Sequence, residues 1–318
     1  MRTRTLGWTG VELTAIGLGT WAMGGSGWQF SWGPQDDAQS IGAIHRSVEC
    51  GINWIDTAPA YGLGHSEEIV GGALRGMAQR PFIATKCSRV WDERGTLGSC
   101  LKAESIQREA ESSLRRLQVD VIDLYQIHWA MPEEDLEEGW TAVAELIRQG
   151  KVRYGGVSNF SVAQLERIRK IHPIASVQPP YSMLVRGIEK DLLAYCAAHQ
   201  IGVICYSPMY KGLLSGRFNR ERLHRLAEDD HRRRDPRFQE PQISANLKLA
   251  EGLSRIAEGE GKTLAELAIA WVLRRPEVTA AIVGARSAAQ VDEFVTAGEW
   301  PLSAELESRI EGLLAQAK

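Results

Sequence analysis

"VDVIDLYQIH", residues 119–128, is a short, strongly apolar run bounded by turn residues. Such a run reads as a strand buried on both faces, the kind found in parallel sheets covered by helices. Runs of the same kind recur at 13–19, 52–58, 81–86, 152–158, 174–180, 202–208 and 279–285, making eight with the first. The segments between them carry apolar residues every three or four positions, as in "AESIQREAESSLRRLQ" (103–118) and "SVAQLERIRKI" (161–171), which is the pattern of amphipathic helices. Eight strands alternating with helices over residues 1–318 predict a single-domain (β/α)8 TIM barrel. A doubly wound open sheet is the rival. Against it, no GxGxxG follows the first strand, and the glycines of "GLGTWAMGG" (17–25) have the wrong spacing for a dinucleotide fingerprint.

Two segments stand outside the repeat. "TRTLGWTGVELT" (3–14) has β-favouring residues on both sides of Trp8-Thr9-Gly10, a β-hairpin signal that could close the bottom of a barrel. The stretch from Pro208 to Thr279 is far longer than one helix requires, so 209–245 is expected to form a long loop after strand seven, on the strand-end face.

Composition narrows the function classes. The chain has 318 residues, 44% hydrophobic and 24% charged, with a formal net charge of −3, the profile of a globular protein with a full-sized core. No apolar run approaches the roughly 20 residues of a membrane span, and "MRTRTLGWTG" lacks the apolar region of a secretion signal, so a cytoplasmic protein with no membrane partner is expected. Five scattered cysteines without a CxxC pair read as reduced thiols, and seven histidines without HExxH give a metal site nothing to rest on. The basic residues of 222–238 are interleaved with Glu228, Asp229, Asp230 and Asp235, which argues against nucleic acid as a partner.

In a barrel of this kind the active site lies at the C-terminal ends of the strands. Asp56 ends strand two, Tyr61 lies in the loop after it, Lys86 ends strand three and His128 ends strand four. Taken singly, these are a helix cap, a loop aromatic, a solvated strand end and a core histidine. Taken together they are three ionisable groups and a phenol at consecutive strand ends, where neighbours are ~4.8 Å apart. Lys86 beside Tyr61 is expected to stabilise the phenolate and lower its pKa, and Asp56 is expected to hold the lysine charged. His128 could orient a substrate oxygen. The set would act as a general acid aimed at a carbonyl oxygen while another group delivers hydride to the carbon.

"INWIDTAPAYGLGHSEEIVGGAL", "ATK", "DLYQIHW", "GGVSNF", "YSPMYKGLLSG" and "IVGARS", in this order, resemble the aldo-keto reductase superfamily, most closely its bacterial and channel-subunit-like branches. The resemblance runs from about residue 3 to residue 295. It implies a (β/α)8 barrel, NADPH/NADP+ as cofactor, a small-molecule carbonyl substrate, and a catalytic tetrad at Asp56, Tyr61, Lys86 and His128. It further implies nicotinamide contacts at Ser158, Asn159, Gln178 and Tyr206, pyrophosphate contacts at Ser207, Leu213 and Ser215, adenosine-phosphate contacts at Gly284, Ala285 and Arg286, and contacts at the adenine end at Gln290 and Glu293. One departure stands at Phe294, where many relatives have asparagine.

Trp21, Trp91 and Trp129 follow strands one, three and four and are expected to line an apolar substrate pocket. No arginine or lysine is evidently aimed at a substrate carboxylate or phosphate. The leading reading is an NADPH-dependent aldehyde and ketone reductase. Alternatives are an NADPH-binding sensor module acting on a partner protein, and a cofactor-free barrel isomerase or lyase using Lys86 and Asp56.

Overall fold

The computed structural model describes residues 1–316. Eight parallel strands close into a barrel in chain order: β1 (Ile16–Gly19), β2 (Trp54–Asp56), β3 (Phe82–Cys87), β4 (Ile122–Ile127), β5 (Val152–Ser158), β6 (Ser176–Gln178), β7 (Gly202–Tyr206) and β8 (Ala280–Gly284). Closure is made where β8 pairs β1, with Gly284 opposite Gly19. Seven lie within the apolar runs read from the sequence, and β3 runs one residue past its own, to Cys87.

Side-chain alternation explains how one barrel carries both a core and a site. Ile55, Ile83, Ile127, Val203 and Val283 belong to the large apolar cluster that also contains the helices. Residues of opposite parity, Trp54, Ala84, Leu124, Ile204 and Ala280, form a second buried cluster inside the barrel. Two positions further along the same inner face stand Asp56, Lys86, Gln126, Tyr206 and Ile282. The barrel is thus apolar at its floor and largely polar at its mouth.

The floor is closed by the N-terminal hairpin, in which Thr3–Thr5 pairs antiparallel with Glu12–Thr14. Its Leu6 and Leu13 are fully buried against the inner cluster. Gly7, at φ +53°, sits so close to the strand starts that an added Cβ would lie 2.4 Å from the Gln200 carbonyl oxygen.

The outer helices are α1 (Asp37–Glu49), α2 (His65–Leu74), α3 (Ala103–Leu117), α4 (Leu136–Arg148), α5 (Val162–Ile168), α6 (Leu192–Ala198), α7 (Arg220–His224), α8 (Gln242–Gly259), α9 (Leu264–Leu273), α10 (Ala288–Phe294) and α11 (Ala304–Gln316). In α3 the buried residues Ser105, Ile106, Ala110, Ser113 and Leu117 recur at helical spacing and face the barrel. Capping boxes start α5 at Ser161 and α9 at Thr263.

The long segment after β7 is a folded excursion rather than an open loop. It carries α7 and 3-10 turns at His231–Arg234 and Pro236–Phe238, and it joins α8 at Gln242. Leu213, Phe218, Leu226, Phe238 and Ile243 give it a small core of its own. A second hairpin, Arg89–Trp91 with Leu97–Ser99, follows β3. Among the described residues no helix is long and apolar enough to cross a membrane, and no cluster of acidic, histidine or cysteine residues could hold a metal.

Candidate active site

The strand register brings the four candidate catalytic side chains together. Asp56 pairs across to Ala84 two residues below Lys86, and Lys86 pairs across to Gln126 two residues below His128. Lys86 is fully buried. Its Nζ donates to Asp56 Oδ1 at 2.6 Å, to the Thr57 carbonyl at 3.0 Å and to Tyr61 Oη at 3.3 Å. The Tyr61 ring meets the His128 ring edge to face, 5.9 Å between centroids.

Tyr61 is held there by its loop. The turn bonds Tyr61 N–H to the Ala58 carbonyl and Ser66 N–H to the Tyr61 carbonyl, each at 3.1 Å. The next residue, Gly62, has φ +67°, and a Cβ on it would lie 2.1 Å from the Gly24 carbonyl oxygen, so a larger residue would push the phenol out of place. Trp21 stacks against the Tyr61 ring, 6.2 Å between centroids.

Burial sets the protonation states. It pushes the Tyr61 phenol well above its ordinary range, and the Asp56 carboxylate adds to that. This corrects the expectation of a lowered Tyr61 pKa: Lys86 is in contact, but the desolvation of a phenolate outweighs it. Burial also lowers the Lys86 ammonium, with Asp56 opposing. His128 is held well below the usual imidazole value by burial, then by Lys86 and Arg89, so it is neutral at pH 7. The site therefore presents a protonated phenol and a neutral imidazole.

Gln126 was not among the residues expected to matter. Its Nε2 donates to Asp56 Oδ2 at 3.3 Å, and Gln178 Nε2 donates to the same oxygen at 2.7 Å. Asp56 is thus fixed on both oxygens. The signal was present in "DLYQIH": a glutamine two positions before His128 on the inner face of an otherwise apolar strand needs a buried partner.

A cavity of about 650 Å³ runs from the tetrad across the barrel mouth to α10. Ser158, Asn159, Gln178 and Tyr206 line one wall of it. Ser158 Oγ donates to the Gln178 carbonyl at 2.9 Å, and Tyr206 Oη donates to Asn159 Oδ1 at 2.9 Å. Gln178 uses its amide nitrogen on Asp56 and Gln126, and among the described residues its Oε1 has no donor. An acceptor open to the cavity beside an aromatic face fits a carboxamide-bearing ring such as nicotinamide.

At the outer end the cavity is lined by Ser207, Ser215, Gly284, Arg286, Gln290 and Glu293. The Arg286 backbone N–H donates to Gln290 Oε1 at 2.8 Å, and its guanidinium reaches the Pro34 carbonyl and Gln35 Oε1 on the loop after β1. Arg217, from the excursion, pairs with Glu293 at 2.7 Å across the groove. Arg222 also lines this end. A cationic end joined to an amide-lined aromatic end fits an elongated phosphorylated dinucleotide.

Ala285 is fully buried in the main core and off the cavity wall, and three further residues singled out in the sequence are placed differently from the rest. The Leu213 side chain lies in the small core of the excursion and its N–H donates to the Tyr210 carbonyl at 3.0 Å, so it turns away from the cavity. Trp91 sits on the second hairpin off the cavity wall, where its hairpin neighbours Arg89 and Leu97 take the lining positions instead. Phe294 is 2% exposed and packs into the main core while bordering the cavity, which an asparagine could not do without a partner. Trp21 and Trp129 do line the cavity, joined by Trp28, Phe30 and Trp32 from the loop after β1.

The sequence profile of the Aldo/keto reductase family matches residues 15–315. Aldo-keto reductase YhdN of Bacillus subtilis (strain 168) is 38% identical over 309 residues, covering 96% of this chain and 91% of that protein. The NADH-specific methylglyoxal reductase of Escherichia coli (strain K12) is 33% identical over 311 residues, 93% of each chain. Among solved structures, the glycerol dehydrogenase AKR11B4 from Gluconobacter oxydans superposes with a TM-score of 0.89 at 38% identity, covering 99% of this chain and 95% of that one. This chain thus belongs to the aldo/keto reductase family and is a carbonyl-reducing oxidoreductase.

Proposed function

We propose that this protein is an NADPH-dependent reductase of aldehydes and ketones, acting in the cytoplasm, with Tyr61 as general acid. The observation that carries the reading is Lys86 held between Asp56 and the Tyr61 hydroxyl at the inner end of the cavity. A nicotinamide bound in the cavity would supply the hydride for the carbonyl carbon. Tyr61 gives its proton to the carbonyl oxygen as negative charge develops there. Lys86, donating to the phenolic oxygen, stabilises the phenolate left behind, and Asp56 keeps the ammonium charged against its burial. Neutral His128 donates an N–H to the same carbonyl oxygen and fixes its direction.

In this reading Ser158, Asn159 and Gln178 would hold the carboxamide, and Tyr206 would offer the ring its face. Ser207 and Ser215 would face the pyrophosphate, Gly284 and Arg286 would take the adenosine phosphate, and Gln290 and Glu293 would lie at the adenine end. Trp21 and Trp129 contact the substrate. The choice of NADPH over NADH rests on Arg286 and Arg222, two guanidinium groups at the outer end without a carboxylate within salt-bridge distance among the described residues. A 2′-phosphate offers such a group paired, charge-assisted bonds, which a bare ribose does not.

Dissociation constants for NADPH and NADH, measured on the wild type and on Arg286→Ala, test the cofactor assignment. NADPH should weaken by about ten- to a hundredfold, equivalent to roughly 1.5–3 kcal/mol, and NADH hardly at all. Equal losses for both, or tighter NADH binding by the wild type, would reject it.

A further inference from the structure

Six cationic side chains line the cavity, and five of them have a task. Lys211 pairs with Asp235 at 2.7 Å, Arg217 with Glu293 at 2.7 Å and Arg232 with Asp230 at 2.6 Å. Arg222 and Arg286 lie at the outer end, where the cofactor reading uses them. The sixth is Arg89, which stands apart from these, on the catalytic side of the cavity.

Arg89 opens the hairpin that follows β3, three residues beyond Lys86. Its side chain is half-buried in the cavity wall, close enough to His128 for its charge to lower the imidazole. One nitrogen, Nη1, donates to Ser99 Oγ at 2.8 Å across the hairpin. Among the described residues no carboxylate lies within ion-pair distance of it. A half-buried guanidinium tethered on one edge by a neutral hydroxyl and left without an anion is an unusual use of desolvation energy unless an anion arrives from solution. The surrounding wall is apolar, with Trp129, Met131 and Leu97 near the mouth. A charge-assisted contact in such a setting is stronger than one on an open surface.

We propose that Arg89 is a substrate-binding residue that selects carbonyl compounds bearing a carboxylate at the end remote from the reacting carbon. A carboxylate is favoured over a phosphate because one tethered guanidinium, with part of its donor fork used by Ser99, matches a planar monoanion. The inference rests on the carbonyl reductase reading and names the substrate class of the same site. Arg89 orients the substrate through its distal charge, and the proton and hydride steps remain with the groups already described.

The test uses matched substrates with the full-length enzyme and NADPH: 4-carboxybenzaldehyde against its methyl ester, each with wild type and Arg89→Met. The wild type should prefer the acid in kcat/KM. Arg89→Met should lose about ten- to a hundredfold on the acid, mainly in KM, and change less than about threefold on the ester. Retained turnover of the ester also shows that the variant is folded. Equal loss on both substrates, or no wild-type preference for the acid, overturns the inference. A preference for glyceraldehyde 3-phosphate over glyceraldehyde, without one for the carboxylate, overturns the choice of anion. If the wild type turns over neither benzaldehyde nor any other carbonyl compound, the reductase reading fails instead.

Discussion

The two ends of the cavity each carry an ion pair of nearly the same length: Lys86–Asp56 at 2.6 Å and Arg217–Glu293 at 2.7 Å. Their surroundings differ completely. The side chains of the inner pair are 0% and 4% exposed, and those of the outer pair 61% and 36%. Geometry alone would rate them equal, but solvent does not. The inner pair sits in a low-dielectric barrel mouth where each charge depends on the other, and its carboxylate is further bound by Gln126 and Gln178. Water and salt screen the outer pair, and long side chains lose entropy to form it. The protein therefore places its chemistry where the groups are fixed by strand register. Its outer pair joins the excursion to α10 where solvent reaches it.

Removing one partner at each end should expose this contrast. Lys86→Met leaves the Asp56 carboxylate buried without its counter-charge. It should lower the stability by about 3–5 kcal/mol, read from denaturant unfolding, and abolish most turnover with it. A variant as stable as the wild type would mean that the inner pair is no more coupled than a surface pair.

Arg217→Gln should cost less than about 1 kcal/mol in the affinity for NADPH, appearing as faster cofactor dissociation in stopped-flow fluorescence. The difference from wild type should shrink as salt is raised, because an exposed pair is screened. A tenfold or larger, salt-independent effect would place this contact in the same class as the inner pair.

The smallest expected effect is that of pH. His128 is held well below the usual imidazole value by burial, then by Lys86 and Arg89, and Tyr61 well above the usual phenol value by burial, then by Asp56. Lowering pH from 8 to 6 should therefore neither protonate the imidazole nor change the phenol, and kcat for a neutral aldehyde should vary little over that range. A titration with its midpoint between pH 6 and 8 that disappears in His128→Gln would contradict the assigned protonation states.

The inner end was far more legible in the sequence than the outer. Parallel strands buried on both faces leave short apolar runs, so all eight were visible, and a polar residue closing such a run, as Asp56, Lys86 and His128 do, stands out against it. Long-range approach is what local pattern does not carry. The loop after β1 reaches Arg286 over 251 positions of sequence through Gln35, and it brings Trp28, Phe30 and Trp32 to the cavity. The second hairpin has strands of three residues, too short for any alternation to show, so nothing in the sequence marked Arg89, and Trp91 read as a pocket residue. Leu213 was drawn toward the cofactor by its motif, but its apolar side chain found the small core of the excursion first.

The central claim is that the Tyr61 hydroxyl, backed by Lys86, is the proton donor at the inner end of the cavity. Tyr61→Phe keeps the ring that contacts Trp21 and His128 and removes that one hydroxyl. Pre-steady-state and steady-state rates of NADPH oxidation with a good neutral aldehyde should fall by about 10²–10⁴, while the dissociation constant for NADPH stays within about twofold of wild type. A variant with near wild-type kcat, or one whose whole loss is accounted for by weaker NADPH binding, would contradict it.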